Sequence, residues 1–273
     1  MLKFNAVSRL YDDGTLAVDN VSLTIDKGEF CVLLGPSGAG KSSLMNMVNG
    51  VVEPTQGTVT VGDVELNRKS RSELQRRVGM IHQQLHLVPR LSVFHNVLSG
   101  VLPQTGMIRS LFKSFPIEQQ RRACQLLNEV GMEEKHLFRR ASNLSGGQQQ
   151  RVAIARAFMS TPEVVLADEP VASLDPTMSR SILNSLKVAA KQHGATVVCT
   201  LHQIEYALEF ADRIIALRKG KVFFDGSPQD MDAVTQEQLY RLAKEGVAEP
   251  NAIPATGSDK TGSHKVKQEP VAA

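Results

Sequence analysis

Phe30-Cys31-Val32-Leu33-Leu34 runs straight into Gly35-Pro36-Ser37-Gly38-Ala39-Gly40-Lys41-Ser42, and Ser43-Leu44-Met45-Asn46-Met47-Val48 follows. The five apolar residues read as a buried strand. The loop after them matches G-x-x-x-x-G-K-[ST] in full, and the residues from Lys41 onward read as a helix. In that setting the glycines let successive backbone N–H groups turn inward around a phosphate. The helix aims its positive end at the same point. Lys41 is then expected to reach the β- and γ-phosphates of a nucleotide, with the Ser42 hydroxyl on Mg²⁺. A glycine-rich turn carrying a solvent-facing lysine would require neither the strand before it nor the helix after it.

Outward from this loop, further short apolar runs have the length of buried strands: Val78-Gly79-Met80-Ile81, Val164-Val165-Leu166-Ala167, Thr196-Val197-Val198-Cys199-Thr200 and Arg213-Ile214-Ile215-Ala216-Leu217. Helical stretches such as 177–192 separate the later ones. Continuous apolar strands alternating with helices imply a mostly parallel sheet covered on both faces. The chain's beginning reads differently. Residues 2–10, 18–26 and 58–61 have strand character with turns between them, which predicts an antiparallel β element beside the parallel core. Residues 213–224 read as a strand and a returning hairpin across Lys219-Gly220. Between about 89 and 160 the strand signal fades, and 117–130 and 148–159 have helical spacing; this predicts an α-helical insertion. The fold class is therefore α/β: a P-loop nucleotidase (RecA-like) core with an antiparallel β subdomain and an inserted α-helical subdomain, over residues 1–245. Residues 246–273, rich in Pro, Gly, Ser and Lys, carry too little apolar surface to offset the entropy of ordering and are expected to form a disordered tail. A chain ending at residue 245 is accordingly expected to keep its full rate of nucleotide hydrolysis; a shortened chain that loses activity in a phosphate-release assay would show that the tail docks.

The chain has 273 residues, 42% hydrophobic and 22% charged, with a formal net charge of +3. That composition excludes disorder throughout, and the slight basic excess does not by itself imply nucleic acid. No apolar stretch approaches the roughly 18 residues that span a bilayer. Lys3, Asn5, Ser8 and Arg9 make the opening residues too polar for a secretory signal. Cys31, Cys124 and Cys199 have neither metal-ligand nor disulfide spacing and are expected to be buried thiols in a reducing cytosol.

A phosphate loop needs a carboxylate at the end of a neighbouring strand to hold its metal. Val164-Val165-Leu166-Ala167-Asp168 supplies one in Asp168. Glu169 follows at once, where a base could orient an attacking water.

With these residues in hand, Leu144-Ser145-Gly146-Gly147-Gln148, followed by Gln149-Gln150-Arg151-Val152-Ala153-Ile154-Ala155-Arg156-Ala157, resembles the signature and signature helix of the ABC-transporter ATPases. The resemblance covers residues 2–245 and orders the other elements. It places Gln83 where the family has its metal- and water-sensing glutamine, although His82 before it departs from the usual aromatic or apolar residue and Gln84 offers a second glutamine. Ser173-Leu174-Asp175 resembles the loop that contacts the partner cassette. His202 resembles the histidine that holds the γ-phosphate, and Tyr11 is placed like the aromatic residue that stacks on adenine. The implied catalytic set is Glu169, His202, Lys41 and Gln83. The implied nucleotide loop is Gly35, Pro36, Ser37, Gly38, Ala39, Gly40, Lys41, Ser42 and Ser43, and the metal ligands are Ser42, Gln83 and Asp168. The implied cofactors are ATP and Mg²⁺.

Within the family, Thr200-Leu201-His202-Gln203-Ile204-Glu205-Tyr206-Ala207-Leu208 and Arg109-Ser110-Leu111-Phe112-Lys113-Ser114-Phe115-Pro116 resemble the ATP-binding subunits of phosphonate importers, to which those of phosphite and hypophosphite importers are closely similar. The resemblance implies a transport motor at the cytoplasmic face of the inner membrane. Its partners would be a second copy of itself, membrane permease subunits and, indirectly, a solute-binding protein, with no nucleic acid. The alternative is a soluble ABC ATPase acting on nucleic acid or ribosomes, which usually carries two cassettes or a long coiled coil. A phosphate-loop kinase would leave residues 144–148 without a purpose.

Overall fold

The computed structural model describes residues 1–104 and 115–245. Its strand β3 (Phe30–Leu34) is buried along its whole length. Successive side chains of a strand leave opposite faces of the sheet. Phe30, Val32 and Leu34 accordingly join one hydrophobic core, while Cys31 and Leu33 join another. The same division runs through β7 (Val164–Asp168), β8 (Thr196–Thr200) and β9 (Arg213–Arg218): Val165, Val197 and Ile214 fall on one side, and Val164, Val198 and Ile215 on the other. This is why these runs read as unbroken apolar stretches rather than alternating ones.

With β6 (Val78–Ile81) and β10 (Lys221–Gly226), these strands form a six-stranded sheet in the order β10-β9-β3-β8-β7-β6. The pairs β9·β3, β3·β8, β8·β7 and β7·β6 are parallel, and only the edge strand β10 is antiparallel. The turn into β10 uses Lys219 and Gly220, both at positive φ. A second, antiparallel sheet has the order β2-β1-β4-β5, from β1 (Leu2–Leu10), β2 (Leu16–Ile25), β4 (Gln56–Val61) and β5 (Val64–Glu65). In β1 the in–out alternation of Leu2 and Phe4 slips by one before Val7, at a register shift beside Ala6 with φ 48°. That bulge turns Val7 back to the core.

Helix α1 (Lys41–Val48) buries Leu44, Met45, Met47 and Val48 in the core shared by the two sheets. The other core lies on the far face of the six-stranded sheet. It receives α3 (Val93–Leu98), α4 (Ile117–Glu129), α5 (Gly146–Phe158), α6 (Pro176–His193) and α7 (Ile204–Phe210). Two further helices, α2 (Arg71–Arg77) and α8 (Ala233–Glu245), had no counterpart among the sequence expectations. Residues 89–104 and 115–160 hold α3, α4, α5 and short 3-10 turns, with one isolated bridge, Ser92 to Arg140, and no strand among the described residues.

One expectation needs correction. Cys31 and Cys199 are buried thiols, but Cys124 is exposed. It lies on α4, whose buried stripe is Ala123, Leu126 and Leu127, so position 124 falls outside the stripe. Burial pushes the Cys199 thiol well above its ordinary pKa, and Cys31 likewise. The tail 246–273 and residues 109–114 of the resemblance to phosphonate importers lie outside the described residues.

Candidate functional site

The phosphate loop leaves β3, which has β9 on one side and β8 on the other. Gly35 takes φ 141°, and a Cβ there would sit 2.3 Å from the Leu217 carbonyl oxygen; at Gly40, φ 105°, it would meet the Ala17 oxygen at 2.4 Å. Neither position admits a side chain. The loop curls around the Lys41 ammonium, which donates to the carbonyls of Gly35 (2.6 Å) and Pro36 (3.1 Å). Burial lowers the Lys41 pKa, and the Glu169 and Asp168 carboxylates oppose that shift. A cavity of about 250 Å³ opens over the loop, lined by Thr15, Leu16, Ala17, residues 37–43, Glu169 and His202. The sequence-predicted Ser37, Gly38, Ala39, Gly40, Lys41, Ser42 and Ser43 all line it. Tyr11 shares a 3.1 Å hydrogen bond with Ser43 through its hydroxyl, and the Arg9 guanidinium covers one face of its ring at 4.6 Å.

Opposite the loop, three of the expected groups meet. The Glu169 carboxylate accepts from Gln83 Nε2 at 2.9 Å through one oxygen and from His202 Nε2 at 2.5 Å through the other. Of the two candidate glutamines, Gln83 thus reaches the site. Glu169 has φ 47°, a strained left-handed backbone for a residue with a side chain. One residue earlier, Asp168 accepts from Thr200 Oγ1 at 2.8 Å. Ser42, Gln83 and Asp168 offer hydroxyl, amide and carboxylate oxygens, a hard donor set that fits Mg²⁺.

The signature lies elsewhere. Ser145 caps α5 with a capping box: its Oγ accepts from the Gln148 N–H at 3.3 Å, and the Gln148 side-chain oxygen accepts from the Ser145 N–H at 3.0 Å. Ser145 and Gly146 are exposed, Leu144 is buried, and none of residues 144–148 lines the cavity over the phosphate loop. Gly147 packs so close to Met178 that a Cβ would sit 2.6 Å from its sulfur, and Leu174 lies 3.6 Å from the Cβ position of Gly146. Asp175 caps α6, accepting from the Met178 N–H at 2.9 Å, and Ser173 precedes this turn. The 173–175 loop and the signature therefore lie side by side.

Three groups escaped the sequence reading, and a fourth, His82, was noted there without a role. Thr200 binds Asp168 and Glu169 together. Arg156, near the end of α5, donates to the carbonyls of Leu85 (2.6 Å) and His86 (2.8 Å), tying the segment after Gln83 to the helix that the signature opens. His82 packs against His86, ring centroids 4.7 Å apart. Burial first, then His86 and Arg156, holds the His82 pKa below its usual value. From α8, the Tyr240 hydroxyl donates to the His202 carbonyl at 3.5 Å. The contacts of Thr200, Arg156 and Tyr240 join residues distant in sequence, so no local signal marks them.

A strand–loop–helix phosphate cradle, a strand-end Asp-Glu pair and a capped signature helix together define an ATP-binding cassette. The family model for the ABC transporter matches residues 18–172, and the chain belongs to that family. It is 68% identical over 245 residues, covering 90% of both chains, to the Phosphonates import ATP-binding protein PhnC of Hydrogenovibrio crunogenus. To the PhnC of Hyphomonas neptunium it is 44% identical over 241 residues, covering 88% of this chain and 92% of that one. Among solved structures it is similar to the ATP-binding cassette MJ0796 in a dimeric post-hydrolysis state bound to ADP and Pi. That match has TM-score 0.71 and 34% identity, and covers 84% of this chain and 99% of that one. With cbiO1 of Clostridium perfringens, part of the ABC transporter complex cbiONQ, the TM-score is 0.75 at 27% identity, covering 90% and 95%.

Proposed function

We propose that this chain is the ATP-hydrolysing motor subunit of an ABC importer, energising uptake of phosphonate or a related reduced phosphorus compound through separate permease subunits. The observation that carries the motor reading is the separation of the two anion-binding elements. The cavity over the phosphate loop is built from residues 37–43, Glu169 and His202, whereas the N-terminus of α5 at Ser145 and Gly146 is exposed and takes no part in it. A helix N-terminus of that kind favours an anion. Two copies related by a two-fold axis would each offer it to the nucleotide on the other's phosphate loop, with the 173–175 loop beside the same interface.

In this reading residues 1–245 form the cassette. Gly35, Pro36 and residues 37–43 hold the phosphates, and Tyr11 faces adenine with the ring face that Arg9 leaves uncovered. Ser42, Asp168 and Gln83 would hold Mg²⁺, which would neutralise charge on the phosphates. Glu169 takes the proton of the attacking water, and His202 donates to the γ-phosphate. The described residues contain no helix long and apolar enough to cross a membrane. The subunit then works as a peripheral protein on permeases at the cytoplasmic face of the inner membrane, fed by a solute-binding protein. The alternative of a soluble ABC ATPase on nucleic acid or ribosomes finds no support, since the two PhnC relatives above are named for import.

The test is reconstitution with the permease subunits that co-purify with this chain. ATP hydrolysis should rise when a phosphonate-loaded solute-binding protein is added, with phosphite- and hypophosphite-loaded forms as comparators. Hydrolysis indifferent to all three would remove the substrate class.

Gln83 leads into the coupling path. After it, Val93 is buried, Leu85, Leu87 and Phe94 are partly buried against the core, and Val88 is exposed. Val88 and its neighbours in 85–92 are placed to receive a short cytoplasmic helix of the permease, and Arg156 fixes Leu85 and His86 to α5. Gln83→Ala is expected to lower phosphonate transported per ATP hydrolysed while ATP affinity changes little, since Gln83 bonds to Glu169 and does not line the cavity over the phosphate loop. Transport and hydrolysis measured together in proteoliposomes check this; a proportional loss of both would assign Gln83 to chemistry alone. Cysteines placed at 85–92 should cross-link to permease cytoplasmic loops, and failure there with success elsewhere on the cassette would move the coupling surface.

A further inference from the structure

We propose that Thr200 is a positioning residue that fixes the metal-binding carboxylate and the catalytic base as one unit; this rests on the nucleotidase reading above. Thr200 ends β8, is fully buried, and is the register partner of Asp168 on β7. A threonine hydroxyl has one hydrogen to give and lone pairs to accept. Here both are engaged: Oγ1 donates to Asp168 Oδ1 at 2.8 Å and accepts from the Glu169 N–H at 2.8 Å. One atom therefore sets two adjacent groups.

The first bond fixes the orientation of the Asp168 carboxylate and leaves its other oxygen for the metal or a water on the metal. The second acts where the chain is least relaxed. Glu169 holds a left-handed backbone at φ 47°, a conformation that persists only when its surroundings enforce it. The bond to Thr200 is part of that enforcement. The backbone so held determines where the Glu169 carboxylate goes, and that carboxylate gathers Gln83 and His202. The β-branched side chain, packed at the strand end, has little rotameric freedom with which to let go of either partner. Neither valine nor alanine could replace this hydroxyl; serine could.

Thr200→Val keeps the shape and removes the hydroxyl, leaving Asp168 Oδ1 and the Glu169 N–H without this partner. Loss of such a supporting contact typically costs roughly 10- to 100-fold in activity or metal affinity. The expected result is a kcat for ATP hydrolysis lowered by that factor, with KM for ATP near wild type and the fold retained at the assay temperature. A direct readout is Mn²⁺ affinity of the ADP-bound chain, measured by electron paramagnetic resonance, which should weaken in Thr200→Val. Thr200→Ser should recover most of both quantities. Wild-type kcat and Mn²⁺ affinity in Thr200→Val would overturn the proposal. So would equal losses in Val and Ser variants accompanied by a lowered thermal midpoint, which assign Thr200 to packing. Lys41→Ala, assayed alongside, separates the two levels. If wild type hydrolyses ATP and Lys41→Ala does not, a silent Thr200→Val sinks only this proposal; if wild type and Lys41→Ala behave alike, the nucleotidase reading falls with it.

Discussion

Replacing Glu169 by glutamine is expected to halt ATP turnover while ATP remains bound. The Glu169 side chain keeps only 22% of its surface exposed, and its two oxygens accept from His202 at 2.5 Å and from Gln83 at 2.9 Å. Glutamine preserves size and one acceptor oxygen. Its amide NH₂ would face a donor on the other side and could take no proton from water. Loss of a positioned general base costs roughly 10²- to 10⁴-fold in kcat. The affinity for ATP should change little, because Glu169 stands opposite the phosphate loop and is not part of it. With ATP bound and hydrolysis blocked, the variant should accumulate as a dimer whose mass doubles in light scattering on adding ATP. Wild-type phosphate release by Glu169→Gln would move the base elsewhere, with His202 the next candidate.

Lys41→Ala is the second change of large effect, and it acts on binding. Lys41 is only 7% exposed, and its ammonium is held by two loop carbonyls in the middle of the cradle. A β- or γ-phosphate entering the cradle would gain a desolvated, charge-assisted contact there. Truncating one partner of such a pair costs about 2–5 kcal/mol, roughly a 30-fold to several-thousand-fold loss in affinity. The fold should persist, because the loop's shape rests on Gly35 and Gly40 and α1 is packed through Leu44, Met45, Met47 and Val48. Equilibrium binding of a fluorescent ATP analogue, paired with far-ultraviolet circular dichroism, checks both halves. Unchanged affinity in a folded variant would withdraw the phosphate-loop assignment.

The site was legible in the sequence to the extent that its geometry is local. Strand, loop and helix around Lys41 are contiguous, and Gly35, Gly38 and Gly40 all answer the positive φ that the loop itself requires. The capping box at Ser145 and Gln148 is written in four residues. The parallel sheet was legible because both faces of β3, β7, β8 and β9 are covered, so the apolar runs carry no interruption. The edge helix α2 was not, because Leu74 is its sole buried residue and a seven-residue helix with one apolar anchor shows no period. The second layer of the site was hidden for a different reason. Thr200 acts on residues more than thirty positions earlier and Arg156 on residues seventy positions earlier. Their partners become neighbours only through the β7·β8 register and the packing of α5. Similarly, the exposure of Cys124 depended on the phase of α4, which half a turn of error would reverse.

The strands that divide their side chains between two cores also set the order in which the molecule comes apart. Releasing a main-chain amide of β3, β7 or β8 requires separating a strand that is hydrogen-bonded on both sides and anchored in hydrophobic clusters above and below. Local fluctuations do not open such amides to solvent, so they should exchange with deuterium only through global unfolding and share a single protection free energy. The edge strand β10, paired on one flank to β9 and carrying half-buried or exposed side chains throughout, should exchange through shallower openings. The phosphate loop is thus suspended from one of the three slowest-exchanging strands, with Thr200 ending the strand beside it and Asp168 the next one out. Nucleotide can be gained and lost many times over while the amides beneath it keep their original protons.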